Sequence, residues 1–187
     1  MILYPTETLY ALGVNALSPE EQTDLFVAKG RAPEKVSSWL VRSVDDIAQY
    51  AEMSDVAAKL ATTLLPGPLT LVLSTLPHIS SELTAADDTI GFRVSGDPMA
   101  QAIIEAFMEE YDAPLTCTSA NVSGQPTLNT VEEILQQFGP RAQMITEVHD
   151  DGPRKGLATS VVKVVGSEVT MLREGSLSEK DIIKALK

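Results

Sequence analysis

Helix start signals alternate with short apolar runs along this chain, and that alternation limits the folds open to it. Ser18-Pro19-Glu20-Glu21 combines a capping side chain, a proline at the first helical position and a capping-box glutamate. The helix that begins there should run to about Lys29. Comparable capping signals predict four further helices, which start at Ser54, Asp97, Thr130 and Ser178.

Runs of β-branched and other apolar residues lie between these helices and predict strands. The predicted strands cover residues 2–4, 39–41, 70–74, 90–94, 115–118, 160–165 and 169–172. Strands that alternate with helices are typical of an α/β or mixed α+β domain built on one twisted sheet. With 187 residues, the chain has a length that suits one domain, so we expect a single domain over residues 1–187.

The charge balance argues against a nucleic-acid-binding surface. The net charge is −12, and the chain has only 14 lysines and arginines. Proteins that bind nucleic acid tightly neutralise phosphates with clustered basic residues. Because the basic residues here are scattered, we expect no strong, autonomous binding of RNA or DNA. Any positive site must be assembled from separate segments.

Several other classes of protein are disfavoured by simple features of the sequence. No apolar run approaches the roughly 18 residues of a membrane span, and "MILYPTETLY" lacks the pattern of a secretory signal. The single cysteine, Cys117, cannot form an intramolecular disulfide, and the two histidines show no zinc-ligand spacing. We therefore expect a cytoplasmic protein with no membrane contact and no metal site of the zinc type.

Four basic residues stand at positions where a functional role competes with a structural one. Lys29 and Arg31 follow a helix, where cations favour the helix dipole, but they could also clamp a phosphate. Arg93 has apolar neighbours in "GFRV", so it either pairs with an acid or faces a cavity and binds an anion. Arg173 follows the last predicted strand and is either a solvated strand end or an anion ligand.

The stretch "TCTSANVSG" (116–124) is rich in short hydrogen-bonding side chains and contains no acid or base. Two interpretations stay open, a polar turn or a surface that binds a polar ligand. No Walker A or GxGxxG pattern occurs in the chain, so a P-loop and a Rossmann site are both unsupported. Cys117 is better explained as a small buried residue than as a nucleophile, because neither histidine lies in a motif that would activate it.

Six segments, taken in order, resemble the motifs of the YrdC/TsaC family, the threonylcarbamoyl-AMP synthases. They are "YPTETLYALG" (4–13), "KGR" (29–31), "LLPGPLTLVL" (64–73), "GFRV" (91–94), "TSANVSG" (118–124) and "MLREG" (171–175). These are similar to the family's PT-D/E-T-x-Y-G-L-G, K-x-R, P-G-P-x-T, R-V-P, S-x-N and L-R-E-G motifs. The resemblance covers nearly the whole chain and implies one YrdC-like domain, a twisted mixed sheet flanked by helices around a central concave cleft.

The resemblance also implies a reaction, in which L-threonine, bicarbonate or CO2 and ATP give threonylcarbamoyl-AMP and pyrophosphate. ATP would be a substrate that brings Mg2+, held mainly by its own phosphates. The product would serve a tRNA threonylcarbamoyl transferase complex. An enzyme that releases a small adenylate has no need to hold tRNA itself, which agrees with the net charge of −12 and with weak or no direct tRNA binding.

The motif match implies roles for thirteen residues. The catalytic residues would be Lys29, Arg31, Ser119 and Asn121. The residues that bind ATP would be Lys29, Thr89, Ser119, Asn121, Thr127 and Arg173. The residues that bind threonine would be Thr6, Arg31, Ser38, Arg93, Cys117, Thr159 and Ser160.

The sequence departs from the family pattern at several places. The family usually has a helix before the first strand. Ser37 and Ser38 stand where it has aliphatic residues, and "TSVVK" carries Lys163 where it has an acid. Two other functions therefore stay open. One is a carbamoyl-adenylate-forming enzyme that uses carbamoyl phosphate, as in hydrogenase maturation, although the Cys pairs of those proteins are absent. The other is a nucleotide- or RNA-binding regulator of the same fold with little catalytic activity.

Overall fold

The computed structural model describes residues 1–32 and 36–187. Within these residues the chain forms six α-helices. They are α1 (Pro19–Lys29), α2 (Val44–Ile47), α3 (Asp55–Leu64), α4 (Pro98–Tyr111), α5 (Val131–Phe138) and α6 (Glu179–Ala185). Two 3-10 turns, Ser81–Leu83 and Gly139–Met144, complete the helical structure of the described residues.

Nine strands form one mixed sheet. In chain order they are β1 (Ile2–Pro5), β2 (Tyr10–Gly13), β3 (Ser38–Leu40), β4 (Leu69–Ser74), β5 (Thr89–Arg93), β6 (Leu115–Ser119), β7 (Glu147–Val148), β8 (Ser160–Val165) and β9 (Glu168–Arg173). Their order across the sheet is β7-β1-β2-β6-β3-β5-β4-β8-β9. The pairs β1/β7, β3/β5 and β4/β8 are parallel, and the other neighbours are antiparallel.

The hairpin of β1 and β2 is buried on both faces, because successive side chains of a strand point to opposite sides of the sheet. Leu3 and Leu12 belong to a small apolar cluster that includes residues of α1 and α5. Tyr4 and Ala11, their neighbours in the chain, belong to the larger core, which also contains Trp39. Helices α1 and α5 pack on one face of this hairpin and the larger core packs on the other, so the hairpin is held from both sides.

The segment between β7 and β8 crosses the sheet and passes over the turn between β1 and β2. Its backbone is tied at two points, where Arg154 N donates to Asn129 O at 2.8 Å and Gly156 N donates to Thr8 O at 3.0 Å. A Cβ on Gly156 would lie 2.5 Å from Thr8 O, so this close approach requires glycine. The crossing brings the residues just before β8 close to the β1–β2 turn.

The fold class predicted from the sequence, a mixed α/β domain around one mixed sheet, is confirmed. All five predicted helices form, and their capping side chains accept the expected backbone hydrogen bonds. All seven predicted strands form with ends shifted by at most one or two residues. The prediction missed β2, β7 and α2. The first lies inside a segment interpreted only as a motif, and the other two have two and four residues.

None of the helices in the described part of the chain combines the length and apolar character needed to cross a membrane.

Candidate functional site

The site lies in a cavity of about 330 Å³ where several strand ends meet. The β1–β2 turn, the ends of β5 and β6, the segment after α1 and the residues before β8 all contribute to its wall. Among the lining residues are Thr6, Thr8, Arg31, Ser37, Ser38, Thr70, Arg93, Cys117, Thr118, Ser119, Thr127, Thr159 and Arg173. The cavity therefore combines three arginines with a wall of hydroxyl side chains.

Two of these arginines bond only to neutral groups in the described part of the chain. Arg31 donates from Nη1 to Thr118 Oγ1 at 3.1 Å and from Nη2 to Val36 O at 2.8 Å. Arg173 donates from Nε and Nη2 to Thr159 O, at 3.1 and 2.8 Å. These bonds fix both guanidinium groups, and no carboxylate of the described residues neutralises either charge.

Arg93 is bound differently, because it pairs with a carboxylate. Its Nη2 lies 2.7 Å from Glu7 Oε1, and its Nη1 donates to Cys117 Sγ at 3.0 Å. The arginine is buried in β5, and Glu7 lies on the β1–β2 turn. The alternatives left open by the sequence, pairing with an acid or facing a cavity, are thus both realised.

The loop after β6 is held by hydrogen bonds from the side chain of Lys29. The ammonium group of this buried lysine donates to Asn121 O at 2.9 Å and also to Ser119 O. Ser119 Oγ in turn donates to Asn121 Oδ1 at 2.6 Å. Lys29 is therefore neither a solvated helix end nor a cation in the cavity wall. It fixes the backbone that presents the Ser119 hydroxyl.

Burial governs the protonation of these cations. Loss of solvation, and to a smaller extent the nearby charge of Arg31, together lower the pKa of Lys29 to about 7. Burial also lowers the pKa of Arg31, and burial together with Arg93 lowers that of Arg173. Burial alone would lower the pKa of Arg93, but Cys117 and Glu7 outweigh it and raise the pKa above its ordinary value. The site thus confines several positive charges in a small volume, an arrangement that anions stabilise.

Buried polar atoms without a protein partner concentrate in this wall. Arg31 Nε, Ser37 Oγ and Arg93 Nε have no hydrogen-bond partner among the described residues, and all three residues line the cavity. Buried polar groups are nearly always satisfied in folded proteins, and exceptions often mark a site for a ligand or water. Together with the arginines, these atoms indicate a site that binds a polar anionic ligand.

The structure brings nine of the thirteen predicted site residues into the cavity wall. They are Thr6, Arg31, Ser38, Arg93, Cys117, Ser119, Thr127, Thr159 and Arg173. Lys29 and Asn121 lie beside the wall and act on it through the loop after β6.

Thr89 and Ser160 do not line this cavity. Ser160 Oγ turns to the other side of β8, where it accepts hydrogen bonds from Gly175 N and Leu177 N, both at 2.9 Å. Thr89 donates to Asp87 Oδ1 at 2.7 Å and lines a neighbouring cavity. In this structure the hydroxyl of Ser160 fixes nearby backbone, and the hydroxyl of Thr89 bonds to the side chain of Asp87.

The neighbouring cavity, of about 410 Å³, shares part of its wall with the first. Ser37, Ser38 and Thr70 line both cavities. The second is otherwise mostly apolar, and Lys163 and Asp87 form an ion pair in its wall. The lysine that departs from the family pattern is therefore neutralised by a partner. The two cavities together offer one cationic and one largely apolar compartment.

A larger groove of about 500 Å³ lies elsewhere, between α4 and the strands β1 and β7. Three glutamates, Glu21, Glu110 and Glu147, are among its lining residues, and none of the described lining residues is a lysine or arginine. An acidic groove repels anions, so the smaller arginine-lined cavity is the better candidate for a site that binds anions.

Sequence reasoning did not identify Glu7, whose carboxylate bonds to a site arginine. The residue lies in the quoted motif "YPTETLYALG", but its partner Arg93 is 86 residues away. Cys117 is buried as predicted, and it also accepts a hydrogen bond from that arginine. Within the part of the chain that the structure describes, no three His, Cys, Asp or Glu side chains are grouped to hold a metal ion.

Comparison with known proteins assigns the chain to a family. The model of the Sua5/YciO/YrdC family, described as "Telomere recombination", matches residues 1–175. Threonylcarbamoyl-AMP synthase of Bacillus subtilis strain 168 is 30% identical over 188 residues, which covers 97% of this chain and 51% of the relative. The enzyme of the same name from Pyrococcus abyssi is 29% identical over 187 residues, covering 100% of this chain and 53% of the relative. The chain thus spans about half the length of these two curated relatives.

Solved structures agree with this assignment. P. abyssi Sua5 complexed with L-threonine superposes with a TM-score of 0.86 at 29% identity, over 98% of this chain and 53% of that one. E. coli YciO superposes with a TM-score of 0.81 at 24% identity, over 97% of this chain and 85% of that one, and supports the fold alone. The sequence motifs, the fold and the family match lead to one conclusion: the chain belongs to the Sua5/YciO/YrdC family.

Proposed function

We propose that this protein is an L-threonylcarbamoyladenylate synthase, which makes threonylcarbamoyl-AMP and pyrophosphate from L-threonine, bicarbonate or CO2, and ATP. The observation that carries the proposal is the cavity of about 330 Å³ in which Arg31, Arg93 and Arg173 meet a wall of hydroxyl groups. Relatives at about 30% identity bear the name of this enzyme, and one related protein was solved with L-threonine.

The amino acid would bind through its carboxylate to Arg93. This arginine is fixed by the protein on one side and lines the cavity on the other. Thr6, Ser38, Cys117 and Thr159 would surround the remainder of the molecule, because all four line the same wall. Ser160, which points away from the cavity, would act only through the backbone that it holds.

The polyphosphate would bind to the positive charge that the described residues leave unneutralised. Arg173, Ser119 and Thr127 line the same cavity and would bind the phosphates, and Arg31 would serve either anion. Lys29 and Asn121 would contribute by fixing the loop that carries Ser119. Mg2+ would enter with ATP and be held mainly by its phosphates.

The chemistry needs alignment more than acid–base catalysis. The threonine amine combines with CO2, or with bicarbonate and loss of water, to form a carbamate. A carbamate oxygen then attacks the α-phosphorus of ATP, and pyrophosphate leaves. Holding two anions in contact and stabilising charge on the transferring phosphorus are the main tasks, and fixed arginines and hydroxyls suit both.

The proposal has three further parts. Residues 1–187 would act as one YrdC-like domain, which the single continuous sheet supports. The product would pass to a tRNA threonylcarbamoyl transferase complex, and direct tRNA binding would be weak or absent because the net charge is −12. The cytoplasmic location stays a prediction from the sequence.

The test is an incubation of the purified protein with ATP, Mg2+ and bicarbonate, with and without L-threonine. We expect pyrophosphate release that depends on threonine, and the mass of the mixed anhydride in the product. Lys180→Ala is a suitable active control for the cation variants, because Lys180 is exposed in α6 and does not line the cavity.

Two outcomes would contradict the proposal. Binding of ATP without turnover would favour a nucleotide-binding regulator of the same fold. Turnover that depends on carbamoyl phosphate in place of threonine and bicarbonate would favour the other carbamoyl chemistry.

A further inference from the structure

Glu7 is a charged residue at the site to which the proposed chemistry gives no task. It lies on the short turn between β1 and β2, and this turn is held by its own hydrogen bonds. Thr6 N and Thr6 Oγ1 both donate to Leu9 O, at 3.0 and 2.7 Å, and Thr8 N donates to Thr6 Oγ1 at 3.3 Å. The crossing segment also donates to Thr8 O. The Glu7 side chain thus starts from a fixed point of the backbone.

Both carboxylate oxygens of Glu7 are engaged. Oε1 lies 2.7 Å from Arg93 Nη2, and Oε2 accepts a hydrogen bond from Ser95 Oγ. Ser95 is fully buried, and its hydroxyl also accepts a hydrogen bond from Asp97 N at 3.2 Å, next to the start of α4. A carboxylate held at both oxygens cannot rotate freely, so it fixes the orientation of the group to which it is bonded.

The group that Glu7 orients is the guanidinium of Arg93. A guanidinium has five N–H donors in one plane. Glu7 and Cys117 take one donor on each terminal nitrogen, and Arg93 Nε has no partner among the residues that the structure describes. Glu7 is absent from the lining of the cavity, whereas Arg93 is part of it. The protein therefore fixes the guanidinium through one donor on each terminal nitrogen, and the second donor of each is left for a ligand.

We propose that Glu7 is a positioning residue that sets the guanidinium plane of Arg93 for the carboxylate of the amino-acid substrate. This inference rests on the proposed function, since it takes L-threonine as the ligand of Arg93. Glu7 acts through the geometry of its carboxylate, because Oε1 bonds to Arg93 and Oε2 bonds to Ser95. It does not depend on the negative charge, which would weaken the attraction between Arg93 and a second carboxylate.

The charge and the geometry can be separated by two substitutions at one position. Glu7→Gln keeps an oxygen that accepts from Arg93 and an amide that can donate to Ser95 Oγ. Glu7→Ala removes both bonds. Ser95→Ala loosens the carboxylate without touching the arginine or the cavity. Glu52→Ala and Glu52→Gln are matched controls, because Glu52 is an exposed glutamate with no side-chain hydrogen bond among the described residues.

The measurement is the steady-state rate of pyrophosphate release, with KM for L-threonine, KM for ATP and kcat determined separately. We expect Glu7→Ala to raise KM for threonine about tenfold or more, with a smaller change in KM for ATP. Ser95→Ala should change KM for threonine in the same direction by a smaller factor. Glu7→Gln should stay within about threefold of the wild type. Thermal unfolding of each variant shows whether it is folded at the temperature of the assay.

The outcomes separate this inference from the proposed function. An active wild type whose KM for threonine is unchanged in folded Glu7→Ala would overturn the inference and leave the function intact. Equal losses in Glu7→Ala and Glu7→Gln would also overturn it, because charge would then matter more than geometry. A wild type that neither turns over nor binds L-threonine, by isothermal titration calorimetry, would overturn both.

Discussion

Arg93 and Arg173 line the same cavity, yet the protein treats their charges in opposite ways. Arg93 is buried in β5 and pairs with Glu7 at 2.7 Å. Arg173, at the end of β9, donates to the carbonyl and hydroxyl oxygens of Thr159 and has no carboxylate partner among the described residues. Arg31 and Lys29 resemble Arg173, because they also bond to neutral oxygens in the described part of the chain.

The difference suits Arg93 to recognition by geometry and Arg173 to attraction by positive charge. An arginine paired with a carboxylate has little net charge left, so it contributes direction and hydrogen-bond geometry. An arginine bonded to neutral oxygens keeps its full charge and attracts anions such as a polyphosphate. On this view, the amino acid is recognised by geometry at Arg93, and the nucleotide is held by charge at Arg173 and Arg31.

The largest expected effect is that of removing the paired cation. Arg93→Ala should lower kcat/KM for threonine by roughly a hundredfold or more, because the substrate carboxylate loses the guanidinium donors that bind it. It should also reduce the free energy of unfolding by about 3 kcal/mol, since Glu7 is left as a largely buried charge without its partner. Enzyme assays and denaturant unfolding measure the two losses.

A second substitution separates those two losses. Adding Glu7→Gln to Arg93→Ala removes the unpaired charge, so part of the stability should return while threonine binding stays lost. Recovery of both properties together would contradict the view that Arg93 recognises the substrate.

Lys29→Ala should have the next largest effect on activity. The lysine is only 3% exposed and holds the carbonyl oxygens of Ser119 and Asn121, so its loss should loosen the loop that carries Ser119. We expect kcat/KM for ATP to fall about ten- to a hundredfold. Exposed Lys180 provides the control variant, Lys180→Ala, which should keep full activity. Full turnover by folded Lys29→Ala would remove Lys29 from the mechanism.

Arg173→Ala should lower activity with little loss of stability. Its partners are neutral oxygens of Thr159, so the free energy of unfolding should fall by only about 1 kcal/mol. KM for ATP should rise about tenfold, and KM for threonine should change less. Lys180→Ala is again the control. A loss confined to threonine binding would reverse the roles given to Arg93 and Arg173.

The last prediction uses the pH dependence of stability to compare the charge of Lys29 in the folded and unfolded chains. Burial, with the charge of Arg31, lowers the pKa of Lys29 from 10.5 to about 7. Between these two pH values the unfolded chain binds a proton that the folded chain lacks, so stability should rise with pH across that window. The difference in unfolding free energy between the wild type and Lys29→Met, measured at pH 7 and pH 10, isolates this group. A difference that does not rise between pH 7 and pH 10 would show that Lys29 stays protonated in the folded chain.

Local signals in the sequence were enough to predict most of the elements and the family. Capping side chains such as Ser18 and Thr130 act within four residues, so the helices they start could be predicted without the fold. The strands of the core follow from short apolar runs for the same reason. β7 was missed because a strand of two residues has no periodicity to detect. Nine of the thirteen residues that the motifs predicted for the site line one cavity.

In contrast, the tertiary structure decided which side chains meet and which face of the sheet each one occupies. Thr159 and Ser160 are adjacent and chemically alike, yet only Thr159 lines the cavity, because successive residues point to opposite faces of a strand and register selects the face. Glu7 meets Arg93 across 86 residues of chain because the sheet order and the β1–β2 turn bring them together. Local sequence specifies which elements form, whereas long-range packing specifies which charges become partners and which stay available for a ligand.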